Sequence, residues 1–376
     1  MNKTGVLALV LTVLAASWPA GAGHEAPLYP SYYPQEIDIR AVAPAAAARQ
    51  LEDAKLHAYV GGSPAFAGPV PDSVRHVESL GAFVVVRVNP DSPKAGDEPA
   101  ACAVAAAVLK SLAAATPGFV LHPYPVTPFH ADYLHHADRA DAARERFLGG
   151  SAAAVADLKV RAKGALAEKL TRRHWPDADS EWDASVEAID ASVLVAAHRF
   201  GINGWLGPPW LKQGWFHADL LLAPALADAA RARAANLLAR LQTTAPANAA
   251  ERINLERDLV GLLTAGCRTV VAGYAMKREY YSAQYSDGIE NIAFDSHAGL
   301  NAPIFLRTVK LKDFPWNGWL RLGVPAPPAA AWNPLGGFGD EAGRLIWWAL
   351  GDPALFPEPY NAGWTLNRIG DVRQAK

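Results

Sequence analysis

Apolar side chains recur every three or four residues along four long segments of the middle of the chain. This spacing places them on one face of an α-helix, and the segments are rich in residues with high helix propensity. They cover residues 140–170, 181–200, 220–241 and 250–263. An amphipathic helix must bury its apolar face against another element. We therefore predict that helices dominate the fold and that these four segments pack together.

A smaller α/β unit is predicted before these helices. The β-branched run 83–86 lies between Gly81 and Asn89-Pro90, which favours a strand over residues 82–88. The other elements predicted for this part are a short helix over residues 45–53, a strand over 56–60, an Ala-rich helix over 99–115 and a strand over 118–121. The predicted fold class is α+β, predominantly helical, with a small N-terminal α/β unit.

The C-terminal region has a different character, because Trp is frequent there among Pro, Gly and Asn. We predict long irregular loops pinned to the core by buried aromatic rings, which offset the entropy of ordering the loops. The predicted division places an extended arm and the small α/β part in residues 24–139. The helical part and its loop-rich aromatic region then occupy residues 140–376.

The first 23 residues have the layout of a secretory signal peptide. Lys3 precedes an apolar run from Val6 to Ala16, and the small-residue segment Ala20–Gly23 follows. A run of 11 residues is too short for a permanent membrane span, and the apolar stretches of the remaining chain are shorter than the roughly 20 residues a span needs. We predict cleavage, no transmembrane segment in the mature chain, and a periplasmic or secreted location.

The cysteine content indicates the cellular compartment, and the net charge indicates which class of partner to expect. Cys102 and Cys267 are the two cysteines of the chain, enough for one disulfide in an oxidising compartment. The alternative is two buried thiols that pack as small apolar side chains. The formal net charge of -2, without a basic cluster, excludes nucleic acid as an expected partner.

A histidine-rich segment after the strand predicted at 118–121 is the densest group of titratable residues. Imidazole and carboxylate groups suit a divalent metal such as copper or zinc. The candidate ligands are His122, His130, Asp132, His135 and His136. If a helix begins near His130, Asp132 and His136 share one face at spacing i, i+4. The alternative is a helix start at which acidic residues favour the helix dipole and the histidines are half-exposed.

Two further residues extend the metal hypothesis. Cleavage after Gly23 would make His24 the first residue, and its amine and imidazole would then chelate a copper ion together with one further histidine. His297 is a second possible addition, since it lies in a polar stretch with Glu290 and Asp295. The same three residues suggest a metal-independent hydrolase as a third reading, because acid–base catalysis needs such groups in a cleft.

An aromatic segment breaks the helical pattern at residues 203–217. Trp205, Trp210 and Trp215 are spaced five apart, which is neither a helical nor a strand period, so each fills a separate gap or lines a concavity. With His217 they form the candidate surface for a protein partner or small ligand, the alternative being core packing. We predict a binding protein of the cell envelope that uses this surface, with metal binding through the histidine segment as the alternative. Catalytic residues, the exact ligand and the oligomeric state do not follow from the sequence.

Overall fold

The fold is given by a computed structural model, which describes residues 32, 34–112, 118–150, 155, 157–172, 175, 181–196, 208–243, 246–316, 318–329, 340–351 and 353–367. The predicted signal peptide, His24 and Trp205 lie outside these residues. The arm predicted after the leader is described only from Tyr32 onward.

The described strands are β1 (Glu36–Ala41), β2 (Ala58–Tyr59), β3 (Val74–Val88), β4 (Phe119–Leu121), β5 (Val160–Lys163), β6 (Ala184–Asp190), β7 (Thr269–Ser282), β8 (Ile289–Asn291), β9 (Lys310–Leu311), β10 (Trp319–Val324), β11 (Leu355–Pro357) and β12 (Trp364–Leu366). The described helices are α1 (Pro44–Glu52), α2 (Glu98–Leu112), α3 (Ala137–Leu148), α4 (Ala165–Thr171), α5 (Ala191–Ala196), α6 (Gly214–Leu222), α7 (Asp228–Gln242), α8 (Ala249–Leu263), α9 (Pro303–Thr308) and α10 (Glu341–Leu350).

A mixed sheet of eight strands organises these elements. Its order is β1-β10-β2-β7-β3-β6-β5, and β4 also pairs with β7. The long antiparallel pair β3 and β7 lies at the centre, and the parallel pairs β1–β10 and β5–β6 lie toward the two edges. A bulge at Gly81 shifts the register of β3 against β7, and a Cβ at this position would lie 2.8 Å from the backbone nitrogen of Lys277.

Both faces of the central strands are covered, which explains the unbroken apolar run in β3. Phe83 and Val85 pack on one face against α5, α6, α7 and α8. Val84 and Val86 pack on the other face against α2 and α4. A strand buried on both sides has no polar face, so its sequence does not alternate. A third apolar cluster fills the space between β2, β10, α9 and α10.

The prediction of a predominantly helical fold is wrong, because an eight-stranded mixed sheet runs through the molecule. The segment 181–200 contains β6 rather than one long helix, and β5 interrupts the helix predicted over 140–170. Irregular loops do not account for the C-terminal region either. β7 and β10 are sheet strands within or at the start of it, and α10 buries Trp348.

The two cysteines form a disulfide that ties α2 to the start of β7. Cys102 lies on α2, Cys267 lies two residues before β7, and the bridge spans 165 residues of sequence. The disulfide predicted from the sequence is therefore present. Across the described ranges, every helix is too short or too polar to cross a bilayer.

Candidate functional site

The histidine-rich segment leaves the sheet at the end of β4 and crosses the face on which α6 and α8 pack. Its backbone folds back on itself where the amide of His130 donates to the carbonyl of Thr127 over 2.9 Å. A 3-10 turn over Tyr133–His135 leads into α3. This path carries His130 inward against α6 and leaves His135 at the protein surface, 39% exposed.

Three imidazoles converge in this region, and we call His130, His217 and His297 the three-histidine cluster. One ring nitrogen from each residue lies within 4.8 Å of the others. His217 comes from α6, and His297 comes from the loop between β8 and α9. His130 and His217 are buried, at 4% and 1% exposure, whereas His297 is half-buried. Three elements that are far apart in sequence therefore build one site.

A chain of hydrogen bonds fixes two of the rings. Nδ1 of His130 accepts the backbone N–H of Thr127 over 2.8 Å, so the proton of the neutral ring is on Nε2. This Nε2 lies 3.0 Å from Nδ1 of His217 and donates to it. Nε2 of His217 then donates to the carbonyl of Leu211 over 2.9 Å. The lone pair of Nδ1 of His217 is therefore the acceptor of the His130 proton.

His297 completes the cluster with an unused nitrogen. Its Nδ1 is 2.9 Å from the hydroxyl oxygen of Ser296, while its Nε2 is buried and has no hydrogen-bond partner among the described residues. The ring centroid of His297 is 5.2 Å from that of His130 and 5.4 Å from that of His217. A buried polar atom without a partner is unfavourable, so this nitrogen is suited to receive a ligand.

The cluster is electrically neutral near pH 7. Burial lowers the pKa of His217 to about 4. Burial and the neighbouring imidazoles lower the pKa of His130 and of His297 well below the ordinary value. Neutral imidazole is the form that binds metal ions.

Apolar and aromatic side chains surround the three rings. The ring of Phe83 stacks on His130 at a centroid distance of 6.1 Å and meets His217 edge-on at 5.7 Å. Phe216 packs on the other side of His217, with centroids 6.2 Å apart. These apolar side chains restrict the movement of the rings. Because they lower the local dielectric constant, they also strengthen electrostatic interactions inside the cluster.

Asp132, His136 and Glu256 form a second group, which we call the carboxylate–histidine group. One ligand atom from each lies within 4.8 Å of the others, and all three residues are buried. The carboxylate of Asp132 accepts the backbone N–H groups of Gly214 and Trp215 over 2.7 and 3.2 Å, so it caps the start of α6. Burial raises the pKa of Asp132 to about 6, although these two bonds oppose the shift.

The remaining histidines of the segment are not part of the three-histidine cluster. Nε2 of His122 donates to the carbonyl of Val126 over 2.9 Å, and its ring meets Tyr274 edge-on. Nδ1 of His135 lies 3.1 Å from a carboxylate oxygen of Glu256, at the margin of the carboxylate–histidine group. The five predicted ligands of this segment are therefore distributed over two groups, with His122 apart from both.

Two of the three described residues of the predicted aromatic surface are buried, and the third, Trp210, is half-buried. Trp215 and His217 are 0% and 1% exposed, and Trp210 packs against Trp215 with ring centroids 6.0 Å apart. Nε1 of Trp215 donates to the side-chain oxygen of Gln213. Trp215 and His217 are thus core residues rather than an open partner surface, because α8 and the sheet cover α6.

Asp295 and Glu290, the acidic residues of the predicted hydrolase site, bond to groups other than the ring of His297. Asp295 accepts the backbone N–H groups of His297 and Ala298 over 2.9 Å and forms an ion pair with Lys212. Glu290 pairs with Lys310 over 2.7 Å and is exposed. Their carboxylates therefore bond to backbone and lysine groups, not to the imidazole of His297.

Sequence reasoning missed two functional candidates. His217 was assigned to the aromatic surface, and Glu256 was one acidic residue among many in a predicted helix. A usable signal was present for Glu256, since it belongs to the buried face of α8 with Leu255 and Leu259. A carboxylate on an apolar helix face needs a partner.

A cavity of about 300 Å³ borders Tyr124, Arg139 and Phe147, and none of the three clustered histidines lines it.

No family model and no curated protein matches the chain. Among solved structures, NikZ from Campylobacter jejuni in complex with Ni(L-His) aligns at 13% identity and a TM-score of 0.34, over 68% of this chain and 58% of that chain. NikA from Brucella suis in complex with Fe(III)-EDTA aligns at 12% identity and a TM-score of 0.37, over 72% of this chain and 60% of that one.

OppA from Haemophilus influenzae in complex with the peptide RPPGFSPFR aligns at 12% identity and a TM-score of 0.37, over 72% of this chain and 57% of that one. The aligned region thus spans less than two thirds of the length of each of these three proteins. Because each TM-score is below 0.5, the function of this chain is inferred from its own residues.

Proposed function

We propose that the protein is an exported binding protein that holds a divalent transition-metal ion, such as Zn²⁺ or Cu²⁺, through His130, His217 and His297. The observation that carries this proposal is the convergence of three imidazoles on one buried point. Imidazole nitrogen is a preferred ligand of both ions. Three imidazoles leave a coordination position open for water or for a small ligand that travels with the metal.

The spacing of the ring nitrogens supports this ligand set. Two nitrogens bound to one tetrahedral zinc ion at about 2.0–2.1 Å lie roughly 3.3 Å apart. Nε2 of His130 and Nδ1 of His217 are 3.0 Å apart, close to this value. The third nitrogen lies within 4.8 Å of both, so His297 needs a modest movement toward them.

The hydrogen bonds around the cluster are of the kind that metal ligands use. A ligating histidine normally donates its other ring N–H to a carbonyl, carboxylate or water, which orients the ring. Nε2 of His217 donates to the carbonyl of Leu211 in this way. Nδ1 of His297 has the hydroxyl of Ser296 as its partner. Both rings are therefore oriented before any ion arrives, whereas His130 must give up the bond that its Nδ1 accepts from the Thr127 N–H.

Export is the second part of the proposal. It is supported by the predicted leader over residues 1–23 and by the Cys102–Cys267 disulfide, since disulfides persist in oxidising compartments. The aromatic segment is not proposed as the binding surface, because Trp215 is in the core. In this proposal Phe216 of that segment, together with Phe83, lines the metal site.

Metal binding by the mature chain tests the proposal. The purified protein is stripped with EDTA and titrated calorimetrically with Zn²⁺ and with Cu²⁺, and about one equivalent of tightly bound ion is expected. His297→Ala removes one ligand and should weaken binding at least a hundredfold. The matched control is His76→Ala, which removes an exposed histidine of β3 and should leave the affinity unchanged. Binding of less than about a tenth of an equivalent by the unmutated protein would reject the proposal.

A further inference from the structure

A second ligand set combines two residues of the histidine-rich segment with Glu256 of α8 and does not depend on the proposed function. We propose that Asp132, His136 and Glu256 bind a second divalent cation of the manganese type, at a site separate from the three-histidine cluster. The two sites share no residue and differ in chemistry. Two carboxylates with one imidazole form an oxygen-rich set, which suits Mn²⁺ better than it suits soft ions.

Burial is the first observation that points to a ligand. Asp132, His136 and Glu256 are 1%, 0% and 1% exposed. Acidic side chains are almost never fully buried without a partner of opposite charge, because taking them out of water is costly. Here two such side chains bring their oxygens within 4.8 Å of one imidazole nitrogen, and Glu256 also pairs with Arg252 at 3.3 Å. A cation at that point would neutralise both carboxylates.

The unused nitrogen of His136 is the second and independent observation. Nε2 of this ring is buried, has no hydrogen-bond partner among the described residues, and lies 3.8 Å from a carboxylate oxygen of Asp132. A separation of 3.8 Å is too long for a hydrogen bond. It is suited to two atoms that share a metal ion, since two ligands at about 2.1–2.2 Å from one ion lie roughly 3–4 Å apart.

Tyr124 holds the ring of His136 in the orientation that a ligand needs. Its hydroxyl oxygen is 3.0 Å from Nδ1 of His136 and is itself buried. When Nδ1–H donates to this oxygen, the lone pair of the ring is on Nε2 and faces the carboxylates. This is the outer-shell arrangement of a ligating histidine. Tyr124 is therefore a positioning residue for the second site.

The carboxylate oxygens of Asp132 and Glu256 have lone pairs available for an ion in addition to those used in their hydrogen bonds. Asp132 accepts one backbone N–H at each oxygen, and a carboxylate oxygen has two lone pairs. Glu256 accepts from Arg252 at 3.3 Å, a weak bond, and lies 3.1 Å from His135. An ion bound here would join the histidine-rich loop, α8 and, through the cap by Asp132, the start of α6.

Manganese titration in a chain without the first site tests the inference. The background is the full mature chain with His297→Ala, and free Mn²⁺ is measured by its electron paramagnetic resonance signal. One bound Mn²⁺ is expected, and adding Glu256→Gln should weaken it at least tenfold. The control is Asp258→Asn, which changes an exposed carboxylate two residues further along α8 and should have no effect.

A second variant keeps the test valid if Glu256→Gln disturbs folding. Tyr124→Phe removes only the hydroxyl that orients His136, and a ten- to hundredfold loss of Mn²⁺ affinity is expected. Circular dichroism establishes that each variant is folded. The inference is overturned if the background chain binds no Mn²⁺ at millimolar concentration, or if the folded Glu256→Gln and Tyr124→Phe chains bind it as tightly as the background. Loss of Zn²⁺ or Cu²⁺ binding in the His297→Ala background concerns only the proposed function.

Discussion

Nε2 of His130 donates to Nδ1 of His217 over 3.0 Å, and this bond places a proton at the centre of the three-histidine cluster. The backbone N–H of Thr127 determines which nitrogen carries that proton, because it occupies Nδ1 of His130. In the metal-free protein, the two rings therefore form part of one directed chain of donors and acceptors. A cation that binds both rings through these nitrogens requires the proton of His130 to move to Nδ1, and the bond from the Thr127 N–H is then lost.

The number of protons released on metal binding is the first prediction. We expect close to zero net protons to leave for each Zn²⁺ bound at pH 6, because all three rings are already neutral and the proton of His130 moves from Nε2 to Nδ1. Calorimetric titration in buffers with different ionisation enthalpies measures this number. His76→Ala should give the same number as the unmutated chain. Release of a full proton per ion would mean that a group other than a neutral imidazole supplies a ligand.

A second prediction concerns the pH dependence of stability and His57. Burial and then the charge of Arg321 lower the pKa of His57 to about 4 in the folded chain. The unfolded chain, with a pKa near 6.5, binds more protons between these values, so stability is complete above pH 6.5 and falls as the pH falls toward 4. We expect His57 alone to account for a loss of about 2 kcal/mol between pH 7 and pH 5.

Urea unfolding of the metal-free protein at pH 7 and pH 5 measures this loss. The variant His57→Asn cannot titrate in this range, so its stability should depend less on pH than that of the unmutated chain. The exposed His76 provides the control, since His76→Ala should leave the difference between the two pH values unchanged. An equal pH dependence in His57→Asn and the unmutated chain would contradict the assigned pKa.

Local sequence patterns predict the N-terminal helices and strands better than the elements that follow them. The helix predicted over 45–53 and the strand over 82–88 correspond to α1 and to half of β3, and the strand is marked by its β-branched run between Gly81 and Asn89-Pro90. The failure at β6 has a physical cause. Ala184, Val186 and Ala188 alternate along the strand toward one apolar cluster, but Ala and the intervening Glu187 also have high helix propensity. The tertiary pairing with β3 decides the outcome.

Two of the three residues of the site were predictable from the sequence, but their geometry was not. His130 and His297 were both named as candidate ligands, whereas His217 was assigned to an aromatic surface. The three residues come from three elements, and their approach depends on β3 and β7, which pair over a long separation in sequence. Such non-local pairing has no signature in a single sequence. Residue type therefore indicated metal chemistry, and only the fold selected the ligands.

The third prediction concerns Phe83, which joins the core to the cluster. Its side chain is 0% exposed and contacts both His130 and His217. Phe83→Ala should lower the free energy of unfolding by about 3–5 kcal/mol and weaken Zn²⁺ binding, because the cavity lets both rings move. Phe314→Ala is the control, since Phe314 is 65% exposed and its loss should change stability by less than about 0.5 kcal/mol. Unchanged Zn²⁺ affinity in Phe83→Ala would mean that the ring does not hold the histidines.

The fourth prediction concerns the disulfide between Cys102 and Cys267. It closes a loop of 165 residues between α2 and β7, so it restricts the unfolded chain strongly. Replacing both cysteines by Ser should lower the free energy of unfolding by about 2–5 kcal/mol. Urea unfolding measures the change, and the unmutated protein unfolded in the presence of reductant should lose a similar amount. A loss below about 1 kcal/mol in the double variant would show that the bridge contributes little, and that the packing of α2 on the sheet is sufficient to join the two elements.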